Sequence, residues 1–194
     1  MKIITQLILI FLLTFPAFAF AGPKDCTVSR IKLLRSYFVE SVGLKNAFKL
    51  LDAGNCVGAL EQFEKIGEMG NLAAQNNAGM IYEEGLGVLQ DDQRAGKWYR
   101  KAAERGLPES QYNLATIIFY TKINADNFSA FRPLPKPEKI QDVAAYREAL
   151  MWSIAASENG HRMASDGVKR LSDALPASEV EAARNAARKW IKAK

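Results

Sequence analysis

The side chains that could support catalysis are few and scattered along this chain of 194 residues. Its single histidine, His161, follows a glycine at a predicted helix start, where we expect a surface position. A nucleophile would need this histidine as its base, and no Gly-x-Ser-x-Gly turn occurs in the sequence. Ser29 and Lys32 match the Ser-x-x-Lys motif of penicillin-binding enzymes, but neither Lys-Thr-Gly nor Ser-Asp-Asn follows. We therefore predict no catalytic residues and no enzyme activity.

Acidic pairs and a Gly-x-Gly turn lie close together between residues 83 and 92. The pairs Glu83-Glu84 and Asp91-Asp92 favour solvated turn residues, with a weak cation site as the alternative. Histidine and cysteine do not cluster in the sequence, so we predict no metal site and no other cofactor. Because no strand precedes Gly85-Leu86-Gly87, these residues indicate a turn between helices and not a dinucleotide-binding loop.

Residues 1–21 are typical of a cleaved signal peptide. A lysine precedes an apolar run over residues 3–15, and two small-x-small patterns between residues 17 and 21 offer a cleavage site. An uncleaved N-terminal anchor is the alternative, although a membrane span needs about 20 apolar residues. We therefore expect a periplasmic or secreted protein. The oxidising compartment favours a disulfide between Cys26 and Cys56, with two free thiols as the alternative.

The formal net charge is +5, and much of the excess lies near the end of the chain. We expect no nucleic-acid partner, because no basic groove with interleaved aromatic residues is visible. A solvated helix face explains the basic residues, with an acidic partner or a lipid surface as the alternative. Membrane contact is thus expected only through the signal segment or this last helix. The basic residues in question are Arg184, Arg188, Lys189, Lys192 and Lys194.

A glycine-punctuated repeat organises the middle of the chain. Gly70, Gly106 and Gly160 each follow a helical stretch with a small residue eleven positions earlier. A bulky aromatic residue precedes each glycine by seven or eight positions. A single helix hairpin cannot bury such a face alone, so we expect neighbouring hairpins to stack with aromatic wedges between them. The small residues are Ala59, Ala95 and Ala149, and the aromatic residues are Phe63, Trp98, Tyr99 and Trp152.

Residues 74–106 resemble the Sel-one-like repeat family, which is related to the tetratricopeptide repeats. The family's Ala…Leu-Gly..Tyr..Gly-x-Gly-Val pattern appears over residues 74–88, with Ala78 in place of the usual leucine. The second half of the family's pattern follows with a departure at Gly96, and it is carried by Asp92, Ala95, Trp98-Tyr99, Lys101-Ala102-Ala103 and Gly106. The resemblance extends more weakly over residues 57–170. It implies an all-α fold, a right-handed α-solenoid of stacked antiparallel helix hairpins with about eight helices.

Periodicity and capping residues predict the individual helices. They are expected to follow Thr27, at 44–52, 57–68, 72–84, 92–105, 109–121, 143–158 and 162–174, and after a capping box at Ser178 and Glu181. The domain boundaries are a signal peptide over 1–21, N-terminal helices over 22–56, repeats over 57–175 and a capping helix over 176–194. A proline-containing insertion over 122–142 interrupts the repeats. It has either a packing or binding role, or it is a surface loop without a function that the fold tolerates.

The first helix of each repeat hairpin is expected to line the concave side and to present a partner-binding ridge. Amide, methionine and aromatic side chains on this face suit protein contacts. Burial of Phe119 and Tyr120 under the insertion is the alternative. The predicted ridge consists of Asn76, Asn77, Met80, Glu83, Tyr112, Asn113, Thr116, Phe119, Tyr120, Asp166 and Arg170.

Members of the resembling family act as adaptors, which implies a non-catalytic, exported scaffold of the cell envelope. Its expected partner is another protein or a peptide, and we expect it to be a monomer. The leading alternative is an immunity or inhibitor protein that blocks a secreted toxin or envelope enzyme. A cell-wall or β-lactam hydrolase and an oligomeric envelope element are further alternatives.

Overall fold

The computed structural model describes residues 42–123 and 142–193. Within these ranges the chain forms eight α-helices and no strand of more than one residue. The predicted signal peptide, the helix after Thr27, Cys26, most of the insertion and Lys194 lie outside the described residues. No helix in the described ranges is long and apolar enough to cross a bilayer. The helices are α1 Val42–Asp52, α2 Cys56–Glu68, α3 Leu72–Glu84, α4 Asp92–Ala103, α5 Pro108–Ile118, α6 Val143–Glu158, α7 Ala164–Ala174 and α8 Ala177–Lys192.

The helices pack in chain order, as stacked hairpins require. Each helix from α1 to α6 contacts the next helix along the chain. The last helix, α8, returns to pack on α6. The three predicted stop glycines have positive φ angles, 92° at Gly70, 99° at Gly106 and 92° at Gly160. Glycine adopts this left-handed conformation without the steric cost of a side chain, so each glycine ends its helix and turns the chain back. The predicted all-α solenoid is confirmed.

Two glutamines fasten successive hairpins in the same way. Gln75 Nε2 donates a hydrogen bond to the Gly67 carbonyl at 2.8 Å, and Gln111 Nε2 donates to the Ala103 carbonyl at 3.2 Å. Both glutamines are buried, and each acceptor is a carbonyl near the end of the preceding helix. The donors are 36 positions apart in the sequence, and so are the acceptors. The repeat therefore reproduces a buried polar contact as well as an apolar pattern.

The predicted aromatic wedges are buried between small residues. Trp98 is 9% exposed, Trp152 is 3% exposed, and Phe63 and Tyr99 are fully buried. The alanines of the repeat, Ala59, Ala95 and Ala149, are also fully buried, which allows the helices to approach closely. Trp190 of α8 meets Trp152 edge to face, with ring centroids 5.6 Å apart. This contact anchors the last helix against the end of the repeats.

Two helix ends differ in kind from the sequence prediction, whereas several other bounds shift by one or two residues. The helix expected over 109–121 is α-helical only to Ile118 and continues as a π-helix over Phe119–Ile123. Thr121 Oγ1 donates to the Ile117 carbonyl at 2.7 Å, a side-chain bond of the kind that competes with regular helix bonding. The capping box at Ser178 and Glu181 was wrong: α8 already begins at Ala177, and Pro176 precedes it without a side-chain cap. The fixed φ angle of Pro176 changes the direction of the chain between α7 and α8.

Candidate functional site

Three of the four predicted ridge residues on α3 are buried, so the prediction that these three meet a partner was wrong. Asn76 and Asn77 are fully buried, and Met80 is buried as well. A helix in the middle of a solenoid has neighbours on more than two sides. Here α3 packs against α2 and α4, while Asn76 reaches Ser110 and Asn113 of α5. The face opposite to α4 therefore meets the next hairpin and not solvent.

Asn76 joins two hairpins through buried hydrogen bonds. Ser110 Oγ donates to Asn76 Oδ1 at 2.8 Å, and Asn113 Nδ2 donates to the same oxygen at 3.1 Å. Asn76 Nδ2 in turn lies 3.4 Å from the Met80 sulfur. Asn113, another predicted ridge residue, is thus half-buried and engaged in this network. The network stabilises the stacking of the hairpins, because a buried amide without such partners would be costly.

Glu83 holds a tyrosine of its own hairpin. The Tyr99 hydroxyl donates to Glu83 Oε2 at 2.5 Å. Burial raises the pKa of Glu83, while the hydrogen bond from Tyr99 opposes this shift. Burial, followed by the nearby Glu83 charge, raises the pKa of Tyr99 well above its ordinary value. Glu83 therefore fixes the Tyr99 ring inside the hairpin.

The other six predicted ridge residues line one cavity between α5, α6 and α7. Its volume is about 110 Å³. The predicted residues in its wall are Tyr112, Thr116, Phe119, Tyr120, Asp166 and Arg170. The sequence analysis missed the other lining residues, namely Ala115, Ser153, Met163, Gly167 and Leu171. The cavity thus collects the predicted ridge residues that follow the α3 hairpin, except Asn113.

Aromatic rings form much of the cavity wall. Phe119 and Tyr120, both in the π-helix, meet edge to face with centroids 5.5 Å apart. The Arg170 guanidinium carbon lies 5.9 Å from the Phe119 ring centroid, within the range of a cation–π contact. Asp166 and Met163 are exposed, and Met163 is 68% exposed. These exposed side chains place the mouth of the cavity at the protein surface.

His161 packs against Tyr112, one of the residues that line the cavity. Its imidazole stacks on the Tyr112 ring with centroids 4.3 Å apart and 16° between the planes. It is half-buried, so the predicted surface position was only partly right. Burial lowers the pKa of His161, and the nearby Glu109 charge opposes the shift. The neutral imidazole is therefore favoured at neutral pH, which suits stacking on an aromatic ring.

The acidic pairs have structural contacts. Asp91 Oδ1 accepts a hydrogen bond from the Arg94 backbone N–H at 2.9 Å and so caps α4. Asp92 Oδ1 accepts a bond from Gln90 Nε2 at 3.1 Å. Over residues 42–123 and 142–193, no group of three or more His, Cys, Asp or Glu side chains is placed to hold a metal ion.

Cys56 begins α2 and is buried. The described part of the chain contains no free cysteine. The predicted partner, Cys26, lies outside the described residues, so the pairing of Cys26 with Cys56 stays a prediction.

The basic side chains of α8 lie on its exposed side. Arg184, Arg188, Lys189 and Lys192 are all exposed, whereas Ala183 and Ala187 face the protein. Arg188 Nη1 lies 3.6 Å from Glu181 Oε1 and partly balances it. This arrangement agrees with a solvated helix face.

Three segments of the chain are similar to a known repeat. Residues 72–107, 108–121 and 141–161 match the model of the Sel1 repeat, the family that residues 74–106 resemble. A putative sel1-like repeat-containing protein of Acanthamoeba polyphaga mimivirus is 40% identical over 52 residues. This match covers 27% of the present chain and only 10% of the viral protein.

A solved structure shows the same kind of fold. A protective antigen of uropathogenic Escherichia coli strains, which displays an SLR fold, is 25% identical with a TM-score of 0.55. The match covers 84% of this chain and 29% of the antigen. A Sel1 repeat protein from Oxalobacter formigenes is 22% identical with a TM-score of 0.35, over 77% of this chain and 69% of that one. The present chain thus spans less than a third of the antigen's length.

Proposed function

We propose that this Sel1-repeat protein is an exported, non-catalytic scaffold that binds another protein or a peptide of the cell envelope through the cavity between α5, α6 and α7. Its Sel1 repeats are the basis of the proposal, because helical scaffolds of this type generally serve protein interaction. Curved stacks of helix hairpins offer extended binding surfaces of this kind.

The observation that carries the proposal is the concentration of interface-type side chains around one opening. Tyr112, Phe119 and Tyr120 line the cavity together with a carboxylate and a guanidinium, and an exposed methionine lies beside them. Aromatic residues, methionine and arginine are enriched where proteins bind one another. A concave site with a few convergent polar groups is also the common form of a binding pocket. The lining groups supply binding contacts, and none of them forms a nucleophile–base pair.

Partner capture tests the binding site. The Tyr112→Ala, Phe119→Asp double variant removes two walls of the cavity. The matched control is Val57→Ala, Leu89→Asp, which alters side chains 46% and 59% exposed and outside the cavity lining. After affinity purification from the native envelope with mass spectrometry, we expect the first variant to lose the partner and the control to keep it. Equal recovery of the partner by both variants would refute the proposed site.

Export is the second part of the proposal, and residues 1–21 support it. The mass of the mature protein tests it, because signal peptidase cleavage should remove about 19–21 residues at the small-x-small patterns. Recovery of the uncleaved chain from the cytoplasm would contradict export and would also remove the reason to expect a disulfide at Cys56.

A further inference from the structure

A groove lies between α6, α7 and α8, on the other side of the last repeat hairpin. Both α7 and α8 pack on α6 but make little contact with each other, which leaves an open space between them. This space, the α8 groove, has a volume of about 290 Å³ and shares no lining residue with the cavity between α5, α6 and α7. The lining residues are Ile154, Ser157 and Glu158 of α6, Val168 of α7, and Arg184 and Arg188 of α8.

The bottom of the α8 groove is apolar. Ile154 is buried, and Val168 is half-buried and packs against the hydrophobic core. Ser157 adds one hydroxyl group beside them. The volume of about 290 Å³ is almost twice that of the engineered cavity of about 150 Å³ that binds benzene. The groove can therefore hold a branched aliphatic side chain together with part of the chain that carries it.

Two arginines form the α8 side of the groove. Arg184 and Arg188 are four residues apart, so they lie on the same face of the helix. Over residues 42–123 and 142–193, Arg184 has no salt bridge and no side-chain hydrogen bond. Arg188 Nη1 lies 3.5 Å from Asn185 Oδ1 and 3.6 Å from Glu181 Oε1, but the Arg188 and Glu181 side chains are 56% and 57% exposed, and such a pair contributes little. Both guanidinium groups are therefore available to a carboxylate from outside.

Glu158 lies on the α6 side of the same groove. In the described part of the chain it forms a salt bridge with neither arginine of the groove. Opposite charges that a groove keeps apart suit a peptide that bridges them, with its carboxylate bound by the arginines and a backbone N–H donated to Glu158. An anionic bilayer fits this site less well, because Glu158 would repel its headgroups and a flat surface would not reach the buried Ile154.

We propose that the α8 groove binds an acidic peptide segment in which a carboxylate stands beside an aliphatic side chain, as in a Leu-Glu pair of a partner protein. The carboxylate binds Arg184 and Arg188, and the aliphatic side chain lies on Ile154 and Val168. Over residues 184–192, α8 carries four basic residues and no acidic one, which attracts such a segment. This inference goes beyond the proposed function, since the groove is separate from the cavity between α5, α6 and α7.

Short peptides test the α8 groove without knowledge of the partner. The probe is N-acetyl-Leu-Glu-amide, and its controls are N-acetyl-Leu-Gln-amide, which lacks the charge, and N-acetyl-Gly-Glu-amide, which lacks the aliphatic side chain. In ¹⁵N NMR titrations of the purified protein, we expect the probe to shift the Nε–H signals of Arg184 and Arg188 and the amide signal of Val168. Each control peptide should bind about tenfold more weakly, because it lacks one of the two contacts.

Two double variants of α8 provide the matched test. Arg184→Gln, Arg188→Gln removes both charges of the groove, whereas Lys189→Gln, Lys192→Gln removes two charges of the same helix outside the groove lining. We expect the arginine variant to bind N-acetyl-Leu-Glu-amide about tenfold more weakly than the unmodified protein. The lysine variant should bind it within about twofold of the unmodified protein, because solvent and salt screen charges that do not contact the probe. All four side chains are exposed, and circular dichroism melting checks that both variants are folded.

Three results would overturn the inference. They are the absence of shifts at the groove with N-acetyl-Leu-Glu-amide, equal binding of all three peptides, and equal losses of binding in the two double variants. Sedimentation with vesicles of phosphatidylglycerol and phosphatidylcholine tests the lipid alternative. Vesicle binding that the lysine variant loses, without peptide shifts at the groove, would assign the basic side of α8 to a lipid surface instead.

The test is independent of the proposed function. The Tyr112→Ala, Phe119→Asp variant of the other cavity leaves every lining residue of the α8 groove in place, so it should bind the probe like the unmodified protein. If it loses the captured partner while the peptide probe fails to bind any form of the protein, the scaffold function stands and the acidic-peptide groove is wrong.

Discussion

Replacing Gly79 by alanine tests the close packing of a repeat hairpin, with Gly96→Ala as its control. A Cβ atom at Gly79 would lie 2.6 Å and 2.7 Å from two carbons of the fully buried Tyr99 ring. The ring cannot withdraw without disturbing its hydrogen bond to Glu83. At Gly96 the nearest neighbour would be Ile117 Cγ2 at 3.6 Å, an ordinary contact. The two substitutions are chemically identical and differ only in available space.

Opposing effects determine how much each substitution changes the free energy of unfolding. Helix propensity favours alanine over glycine by about 1 kcal/mol. Overpacking of a core costs about 1–3 kcal/mol, and a lost hydrogen bond adds about 0.5–1.5 kcal/mol. We therefore expect Gly79→Ala to lower the free energy of unfolding by about 0.5–3.5 kcal/mol, and Gly96→Ala to raise it by up to about 1 kcal/mol. For a chain of this size the first change lowers Tm by roughly 1–14 °C.

Urea unfolding followed by circular dichroism measures both variants. A double-mutant cycle with Tyr99→Ser then tests the cause, because the double variant Gly79→Ala, Tyr99→Ser would reproduce the natural pair Ala115 and Ser153. Once the Tyr99 ring is removed, the alanine in place of Gly79 should no longer destabilise the protein. The reasoning is refuted if Gly79→Ala is as stable as Gly96→Ala, or if its cost persists without the Tyr99 ring.

Three further measurements test the packing and the cavity wall. Asn76→Ala should destabilise the protein by about 1–3 kcal/mol in urea unfolding, because it strips buried partners from Ser110 and Asn113; a change within error would contradict the network. Trp152→Ala should cost about 3–5 kcal/mol by the same assay, whereas a mild effect would mean that the wedge is dispensable. His161 has a lowered pKa when folded, so its contribution to stability is present above the unfolded value of 6.5 and is lost as pH falls through the folded pKa. Urea titrations at several pH values should therefore show a smaller loss of stability on acidification for His161→Phe than for the unmodified protein. Identical pH profiles of the two proteins would exclude this contribution of His161.

Most of the fold was predictable because its determinants are local. Glycines at fixed offsets end helices by their positive φ angles, and Asn55, Asn71, Asp91 and Asp142 cap the starts of four helices with side-chain hydrogen bonds. The burial of Trp98 and Trp152 followed from their spacing to alanines. The π-helix at Phe119 was not predictable, since it depends on a choice between backbone bonding patterns that periodicity does not distinguish.

The candidate site was only half predictable for a related reason. Helical periodicity finds the face of α3 that meets its partner α4, but it does not show that the opposite face meets α5. Asn76 is polar and yet fully buried, because Ser110 and Asn113 complement it across the hairpin boundary. The sequence did hold a usable signal for the cavity. Ser153 follows Trp152 where Tyr99 follows Trp98, and the smaller side chain leaves space.

Photo-crosslinking in the native envelope tests most directly whether the cavity between α5, α6 and α7 is the partner-binding site. The photoreactive residue benzoylphenylalanine is placed at Asp166, an exposed residue of the cavity lining, and in a parallel variant at Leu89, which is exposed outside it. We predict one dominant protein adduct at position 166 and none at position 89. Adduct formation at position 89 with none at position 166, or the same adducts at both, would contradict the assignment of the cavity as the binding site.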